Sequence, residues 1–414
     1  MEPVRMGIIG MGGFAGAHHD AALRLEEQGA CRVVCACDLD LGSFAERQEA
    51  LRFAARGVRT YGDYREMLAA EAGELELVTI PTPVPLHAAM HQAGVERGLA
   101  VYLEKPPTLN YAELDAMLEV ERGARWATNV GFNHIVEPAR QALKAEILSG
   151  KYGAVRSVSV YDLSPRGTSY YARAPWAGRL RLDGRLVLDS CVGNARAHLV
   201  HDALHWCGPE LWAWGEIAAV RAELYRVHAI EGTDTVFAAA TTGEGVELRL
   251  AATHAVAPPA GISRERIECE QATITWEVAE RSEGGHGWAI TVAWRDGREE
   301  PVRMTEIGSL EENLRAYLGY LRGEAERPMT RLADSRPFVV VNDLMYLAAG
   351  RITTVAGEGE GEFVTIPGVA AALEHFAETG EFPSETGVPW ATAGGEAPAA
   401  RLGELEAVVR DLTP

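Results

Sequence analysis

The sequence is poor in basic residues and lacks long apolar runs. Its 39 lysines and arginines stand against 59 aspartates and glutamates, which leaves a formal net charge of −20. Such a charge repels nucleic acid and anionic membrane surfaces, so we expect neither as a partner. We find no apolar stretch of the ~18 residues that a membrane-spanning helix needs, and no basic and apolar leader precedes the first predicted strand. We therefore expect a cytoplasmic protein.

Cysteine is also scarce. The chain has six, and none of them stands in C-x-x-C spacing: Cys31, Cys35, Cys37, Cys191, Cys207 and Cys269. This spacing forms no zinc or redox motif, so we predict no metal site. We interpret the cysteines as small, buried, apolar residues.

A glycine-rich turn follows the first apolar run, residues 4–9. The turn has a G-x-G-x-x-A pattern and contains Gly10, Gly12, Gly13, Phe14 and Ala15. Its glycines allow a tight reversal and the close approach of a pyrophosphate, and the small alanine lets the next helix pack on the sheet. The amino end of that helix attracts phosphate groups. We predict that these five residues bind a dinucleotide.

An acidic residue directly follows the second apolar run, residues 31–37. Asp38 stands at about the ~20-residue spacing typical of the acid that binds the adenosine ribose. Its carboxylate can accept hydrogen bonds from the 2′-hydroxyl and repels a 2′-phosphate. The next residues are Leu39, Asp40 and Leu41, so no arginine follows directly. The sequence therefore predicts NAD(H) as the cofactor in preference to NADP(H).

Strands and helices alternate over the first third of the chain. The strands are predicted at residues 4–9, 32–37, 75–80, 99–103 and 126–131. This alternation indicates a parallel sheet with right-handed crossovers. Because single cores rarely grow past ~250–300 residues, a chain of 414 residues also predicts two domains. We assign residues 1–134 to an N-terminal Rossmann dinucleotide-binding domain of the α/β class.

The pattern changes after a predicted helix at 136–149. Long alternating runs at 154–163, 212–225 and 246–253 indicate a sheet with one packed face and one open face. We assign residues 135–414 to a C-terminal α/β domain with a large, open, mostly antiparallel sheet. Because a large apolar sheet face is rarely left in water, we expect a homodimer or homotetramer.

Three further segments each follow a predicted strand. They are Pro81-Thr82 with His87 a few residues later, Glu104-Lys105-Pro106, and Gly131-Phe132-Asn133-His134. In this order, and with the glycine turn, they resemble the Gfo/Idh/MocA family of glucose–fructose oxidoreductase and inositol dehydrogenase relatives. The resemblance is sharpest in the first third. It implies a Rossmann domain followed by an α/β domain whose open sheet often forms an oligomer interface.

The resemblance also implies site residues at the carboxyl ends of the strands. Pro81, Thr82, His87, Glu104 and Lys105 are then expected to bind the cofactor. Lys105 is further expected to contact the reacting hydroxyl, where an ammonium group can stabilise negative charge on the oxygen. The two prolines that follow it fix the turn, which could include a cis peptide.

The family's second catalytic element, Asp-x-Gly-x-His-x-x-Asp, is altered in this chain. Asp189 matches the first acid, but several residues are inserted after it, and the following His and Asp are four residues apart. His198 and Asp202 would share a helix face with Asn194. We predict His198 as the proton-transfer residue, Asp202 as its partner or a substrate anchor, and Asn194 as a substrate contact. His201 is the alternative to His198.

Aromatic residues alternate with arginines at 166–179. Aromatic rings can stack on the C–H faces of sugars while fixed donors meet their hydroxyls. We therefore predict Tyr171, Trp176 and Arg179 as walls of a substrate site.

Three histidines receive weaker assignments. His254 ends a predicted strand and is a lesser candidate for the same substrate site. His18 and His19 begin the first helix, and we expect them to be solvated rather than catalytic.

Taken with the resemblance, these residues predict an NAD-dependent oxidoreductase. It would transfer hydride between nicotinamide and a secondary hydroxyl of a sugar, polyol or sugar derivative, with Lys105 and His198 handling the proton. Two alternatives stay open. One is a redox-neutral glycosidase or epimerase that oxidises its substrate only transiently, and the other is a non-catalytic sensor of dinucleotide and sugar.

Asp38 yields the first testable prediction. The native chain should bind NAD(H) more tightly than NADP(H), and Asp38→Ser should reduce this preference by removing the carboxylate that favours a 2′-hydroxyl. The loss of charge-assisted hydrogen bonds of ~1.5–3 kcal/mol corresponds to a weakening of NAD(H) binding by about tenfold or more. Fluorescence titration of both nucleotides against both proteins measures this. Tighter binding of NADP(H) by the native chain contradicts the prediction.

Overall fold

A computed structural model describes residues 2–282, 284–359 and 361–412 and divides the chain into two compact units. The first unit contains the residues up to Thr108 together with Ala112–Val136 and Gly308–Arg336. The second unit contains Leu109–Tyr111, Glu137–Ile307 and the residues from Pro337 onward.

A six-stranded parallel sheet forms the first unit. Its strands are β1 (Val4–Ile9), β2 (Cys31–Cys37), β3 (Arg59–Tyr61), β4 (Leu77–Ile80), β5 (Ala100–Leu103) and β6 (Asn129–Val130). The helices in this part of the chain are α1 (Ala15–Glu27), α2 (Ala45–Ala50), α3 (Phe53–Arg56), α4 (Tyr64–Ala70), α5 (His87–Val95) and α6 (Tyr111–Glu121). The strand order β3-β2-β1-β4-β5-β6 is that of the doubly wound dinucleotide-binding fold, so the predicted Rossmann domain is confirmed.

A ten-stranded mixed sheet forms the second unit. Its strands are β7 (Val155–Leu163), β10 (Ile217–Arg226), β11 (Thr235–Thr242), β12 (Glu247–Thr253), β13 (Ile262–Cys269), β14 (Ala272–Glu280), β15 (His286–Trp294), β16 (Arg303–Thr305), β17 (Thr353–Thr354) and β18 (Gly395–Pro398). A small hairpin joins β8 (Arg181–Leu182) to β9 (Arg185–Leu186). The β7–β12 and β10–β17 pairs are parallel and the other pairs of the sheet are antiparallel, as predicted.

Seven α-helices lie after residue 136 in the described part of the chain. They are α7 (Pro138–Leu148), α8 (Thr168–Ala172), α9 (Ala197–Cys207), α10 (Leu310–Leu321), α11 (Arg336–Ala349), α12 (Val369–Thr379) and α13 (Leu405–Leu412). The six cysteines are all buried and free, which confirms their interpretation as apolar core residues.

Helix α10 lies in the first unit, although it falls within the range 135–414 that we assigned to the second domain. Its residues Leu310, Leu314, Tyr317 and Leu318 belong to the same buried cluster as β1, β2 and α1. A capping box of Ser309 and Glu312 starts the helix. The predicted boundary at 134/135 thus differs from the boundaries of the compact units. The reason is that the apolar face of α10 completes the core formed by β1, β2 and α1, which are far from it along the chain.

The sheet of the second unit has helices on both faces of its central strands. Helix α9 packs on β7 and β12, and α12 also packs on β12 and β7. Phe376 of α12 lies with its ring centroid 5.6 Å from that of Phe237 in β11. Leu373 and Phe376 belong to one buried cluster with Tyr161 and Leu163 of β7. The face we expected to be open is therefore covered here by a helix of the same chain.

The same sheet is polar farther along, on β13 and β14. The side chains of Arg264 and Glu277 form an ion pair across these strands, and Arg264 also reaches Glu374 of α12 at 3.4 Å. An apolar open face was the reason for expecting a homodimer or homotetramer. That premise is not met on these strands, and the subunit number stays a prediction.

The covering by α12 yields a stability prediction. Phe376→Ala should lower the free energy of unfolding by about 3–5 kcal/mol, because the side chain is fully buried and its removal leaves a cavity. Glu378→Ala, an exposed change on the same helix, is the matched control and should leave stability within error. Chemical denaturation of the full chain measures both. Equal effects of the two substitutions would contradict the packing role of Phe376.

Candidate functional site

The glycine-rich turn joins β1 to α1. Gly10 has a φ of 113° and Gly13 a φ of 54°, and both values lie in the left-handed region that favours glycine. A Cβ on Gly12 would lie 2.9 Å from the ring of Phe44. Ala15 is fully buried, as expected for a residue that packs the helix on the sheet. Local geometry thus accounts for a small residue at each of these positions.

Asp38 is hydrogen-bonded to the turn. Its Oδ2 accepts from the N–H of Met11 at 2.8 Å, and its Oδ1 accepts from the N–H of Asp40 at 3.0 Å. Arg47 of α2 donates from Nη1 to the carbonyl oxygen of Met11 at 2.8 Å. The two peptide groups flanking Met11 are therefore held by a carboxylate that accepts and a guanidinium group that donates. The sequence did not indicate the role of Arg47, which depends on how α2 packs.

His87 connects two of the predicted cofactor-binding segments. Its Nε2 lies 2.8 Å from the carbonyl oxygen of Thr82, next to Pro81, and its Nδ1 lies 3.0 Å from that of Pro106. The ring is fully buried, and burial lowers its pKa. His87 thus contacts the backbone of both turns, the second of which includes Lys105.

Glu104 is buried directly before Lys105. Its Oε1 lies 3.0 Å from Nε2 of His18, and its Oε2 accepts from the backbone N–H of Lys105 at 3.0 Å. A Cβ on Gly131 would come within 3.0 Å of Oε1, so the Gly-Phe-Asn-His segment leaves space for this carboxylate. The side chain of Lys105 is partly exposed, and the Lys105–Pro106 peptide is cis. Glu104 thus links α1 to the turn after β5, and Gly131 leaves space for its carboxylate.

His18 and His19 are buried, so the prediction that both are solvated is wrong. His18 pairs with Glu104, as described above. Nε2 of His19 lies 3.0 Å from the carbonyl oxygen of Gly10, and burial lowers the pKa of His19 to about 4. Both rings lie inward because α1 packs its histidine-bearing face on the sheet. The sequence offered no local sign of this, since Glu104 is far away along the chain.

In the second unit, the altered segment after Asp189 forms a wide turn before α9. The N–H of Arg196 donates to the carbonyl oxygen of Cys191 at 2.9 Å, a spacing of five residues that defines a π-helical turn. Ser190 caps this turn by accepting from the N–H of Gly193 at 2.8 Å. The residues that depart from the family pattern are accommodated here.

Asp189 is buried and accepts hydrogen bonds from two segments of the second unit. Its Oδ2 accepts from the N–H of Gly178 at 2.7 Å, and its Oδ1 accepts from Nδ2 of Asn194 at 3.0 Å. The carboxylate therefore joins the predicted substrate wall to the π-helical turn. Asn194 itself is half-buried.

Helix α9 carries the remaining catalytic candidates, and they differ in exposure. His198 is half-buried, whereas His201 and Asp202 are fully buried. The ring of His201 lies 4.9 Å from that of Trp214, measured between centroids. Of the two histidines that we considered for proton transfer, His198 is thus the more accessible.

Asp202 lies in a buried cluster of charged groups around Arg140 of α7. The guanidinium contacts Glu265 at 2.9 Å, Glu137 at 3.0 Å and Asp202 at 3.5 Å, and it lies 4.6 Å from the ring centroid of Trp276. Burial raises the pKa of Asp202 to about 7. Its carboxylate therefore lies inside the unit, on the side of α9 that faces α7. Sequence reasoning missed Arg140, Glu137 and Glu265.

Two of the three predicted wall residues line one cavity of about 540 Å³ in the second unit. Tyr171 and Arg179 are among its lining residues. Trp176 lies in the same segment, with Arg173 stacked 4.7 Å from its ring centroid, but it is not part of the cavity lining.

The part of the chain that the structure describes has neither a cluster of metal ligands nor a membrane-spanning helix. Across residues 2–282, 284–359 and 361–412, no three His, Cys, Asp or Glu side chains are grouped to hold a metal ion. Within the same ranges, no helix combines the length and apolar character needed to span a bilayer.

Comparison with known proteins finds a family model that matches most of the first unit's N-terminal segment. The model of the GFO_IDH_MocA oxidoreductase family, described as an NAD-binding Rossmann fold, matches residues 4–132. The match is confined to these residues, which carry the parallel sheet of the first unit. Inositol 2-dehydrogenase from Rhizobium meliloti (strain 1021) is 29% identical over 164 residues, which cover 39% of this chain and 46% of that protein. The chain spans less than two thirds of the length of the first curated relatives it matches.

Solved structures share the fold over a larger part of the chain. A levoglucosan dehydrogenase in complex with NADH has a TM-score of 0.67 at 19% identity and covers 83% of this chain and 96% of its own. The WlbA dehydrogenase from Bordetella pertussis, in complex with NADH and UDP-GlcNAcA, has a TM-score of 0.65 at 20% identity, with 84% and 96% covered. These similarities show that the chain shares the fold of the two dehydrogenases.

The cluster around Arg140 yields a prediction. Arg140→Met should lower the free energy of unfolding by about 3–5 kcal/mol, because it leaves three buried carboxylates without their cation. Thermal and chemical unfolding measure the loss. Arg122→Met, which breaks an exposed ion pair with Glu119, is the matched control and should have no measurable effect. An Arg140→Met protein as stable as the control would contradict the proposed role of this cation.

Proposed function

We propose that the chain is an NAD-dependent oxidoreductase that transfers hydride between nicotinamide and a secondary hydroxyl of a sugar, polyol or sugar derivative. The family match of the first unit supports the cofactor, and the relatives named above support the class of substrate. A cytoplasmic location belongs to the same proposal.

One observation in the first unit supports this proposal most strongly. The backbone N–H groups of Gly12, Gly13 and Phe14 make no hydrogen bond to the described residues. Nothing lies within 4 Å of a Cβ built on Gly13, so the turn faces open space. Successive free N–H groups before a helix form an anion site that fits a pyrophosphate.

The residues around this turn fit the rest of the cofactor. The carboxylate of Asp38 has lone pairs beyond those used by Met11 and Asp40, and they can accept hydrogen bonds from ribose hydroxyls. Pro81, Thr82 and Glu104 lie at the carboxyl ends of β4 and β5, where such sheets bind their ligands. NAD, when bound, supplies the carbon that accepts or returns the hydride.

Lys105 would donate a hydrogen bond to the reacting oxygen and stabilise negative charge on it. Its backbone N–H is fixed by Glu104, which His18 contacts in turn. The contacts of His87 with the carbonyl of Pro106 restrain the same turn from the other side. The ammonium group is therefore carried by a rigid segment, as catalysis requires of a positioned charge.

The proposed proton acceptor and sugar contacts belong to the second unit. His198 is proposed as the group that accepts the hydroxyl proton, and Asn194 is proposed to bind the substrate through its amide. Tyr171, Arg179 and Trp176 are proposed to contact the sugar. Asp202 is assigned to fixing α9 through Arg140, because its carboxylate is buried there.

Lys105→Met tests the proposal. Turnover should fall by about 100-fold to 10,000-fold, the range expected for a group that aids proton transfer, while NAD affinity changes little. The rate of NADH formation on a panel of sugars and polyols measures turnover, and calorimetry measures NAD binding. Lys151→Met, an exposed lysine paired with Glu146, is the matched control. Retained turnover in Lys105→Met would remove Lys105 from the mechanism.

The same assays separate the alternatives. Substrate loss without a change in the absorbance of reduced nicotinamide would indicate the redox-neutral reaction. Binding of both NAD and sugar without any conversion would indicate a sensor. Failure of the native chain to bind either nucleotide would contradict the proposal as a whole.

A further inference from the structure

Tyr171 of α8 lines the cavity of the second unit and contacts two buried histidines. Its hydroxyl lies 3.0 Å from Nδ1 of His254, and its ring centroid lies 4.9 Å from that of His228. Both histidines are at least nine-tenths buried. Their Nε2 atoms have no hydrogen-bond partner among the described residues. Buried polar atoms of this kind are costly in a core, and each calls for an explanation.

Asp234 fixes the orientation of His228. Its Oδ2 lies 2.7 Å from Nδ1 of His228 and also accepts from the N–H groups of Val227 and His228, at 2.9 and 3.0 Å. Because an ionised carboxylate only accepts hydrogen bonds, Nδ1 of His228 is the donor in this contact. The imidazole on which the Tyr171 ring packs is therefore locked by its carboxylate partner.

The pair of Tyr171 and His254 forms a fixed hydrogen bond rather than an acid–base pair. Burial lowers the pKa of His254 well below its usual range, and the charges of Arg166 and Arg196 act in the same direction. Burial also raises the pKa of Tyr171, so the phenol keeps its proton. His254, His228 and Asp234 thus act as positioning residues for the Tyr171 ring.

The charged residues that line this cavity are paired with each other. They are Arg179 and Glu231, whose side chains form an ion pair. The other oxygen of Glu231 accepts from the N–H of Leu180 at 3.2 Å. The remaining lining side chains are uncharged or aliphatic, apart from the aromatic ring of Tyr171. The lining thus offers hydrogen bonds and an aromatic surface but no unpaired cation to receive a phosphate.

The backbone around this ion pair is also fixed. The carbonyl oxygen of Gly178 accepts from the N–H groups of Glu231 and Gly232, both at 2.9 Å, while its own N–H donates to Asp189. Gly178 has a φ of 69°, and a Cβ there would lie 2.6 Å from Ile230. The segment that carries Arg179 is therefore held against the segment that carries Glu231.

We propose that this cavity binds an uncharged, cyclic, polyhydroxylated compound through the ring of Tyr171 and the Arg179–Glu231 pair, in preference to a phosphorylated or nucleotide-linked sugar. The C–H face of such a ring stacks on an aromatic side chain, and its hydroxyls meet donors and acceptors that are already paired and fixed. A phosphate would have to compete with Glu231 for Arg179. This inference deepens the proposed function by naming the charge class of its substrate.

Calorimetric titrations of the full chain, with and without NAD, test the inference. The ligands are D-glucose, D-xylose and myo-inositol, each with its phosphate monoester, and UDP-glucose. At least one neutral compound should bind about tenfold or more tightly than its charged counterpart. Tyr171→Ala should weaken that binding by about tenfold or more. Because the titrations do not require turnover or NAD, their outcome is separate from that of the proposed function.

Glu231→Gln gives a more specific test, because it removes the carboxylate that pairs with Arg179 and leaves that guanidinium without its counter-charge. This variant should narrow or reverse the preference for neutral ligands, a change that mere destabilisation does not produce. Glu247→Gln breaks an Arg–Glu pair elsewhere in the same unit and should leave the preference unchanged. The inference is overturned if no neutral compound binds, if a charged counterpart binds more tightly to the native chain, or if Tyr171→Ala or Glu231→Gln has no effect.

Discussion

The geometry of the first unit depends on a buried carboxylate, that of Glu104. A charge removed from water is costly unless it is paired and hydrogen-bonded. Glu104 meets this condition by contacting His18 of α1 and the backbone of Lys105. Gly131 leaves the space in which it lies. The side chain of Glu104 thus ties α1 to the turn after β5, and the backbone of Lys105 is fixed as a result.

The second unit also contains a buried charge, which in this case is the cation of Arg140. Arg140 is enclosed by Glu137, Asp202 and Glu265 and lies over the ring of Trp276. A buried ion pair is weak evidence of net stability. We therefore interpret this cluster as one that fixes the relative positions of α7, α9 and β13. Fixing α9 also fixes the helix position from which His198 extends.

The parts of the site that sequence could predict are those whose cause is local. The glycine turn and Asp38 follow from backbone geometry and a spacing along two strands, and the structure places a left-handed Gly10 and a hydrogen-bonded Asp38 there. The pairing of His18 with Glu104 spans 86 residues and that of Arg140 with Glu265 spans 125. No periodicity in one segment specifies a partner so far away, and for that reason His18 was wrongly expected in solvent.

A similar limit applies to the sheet of the second unit. Alternation along a strand predicts that one face is apolar, but it does not identify what covers that face. Phe376 and Leu373 lie more than a hundred residues beyond the strands they cover, and they close the central part of the face within the chain. An apolar sheet face is therefore an argument for burial and not for a second subunit. Any assembly of this protein must use surfaces other than the part of the sheet that α12 occupies.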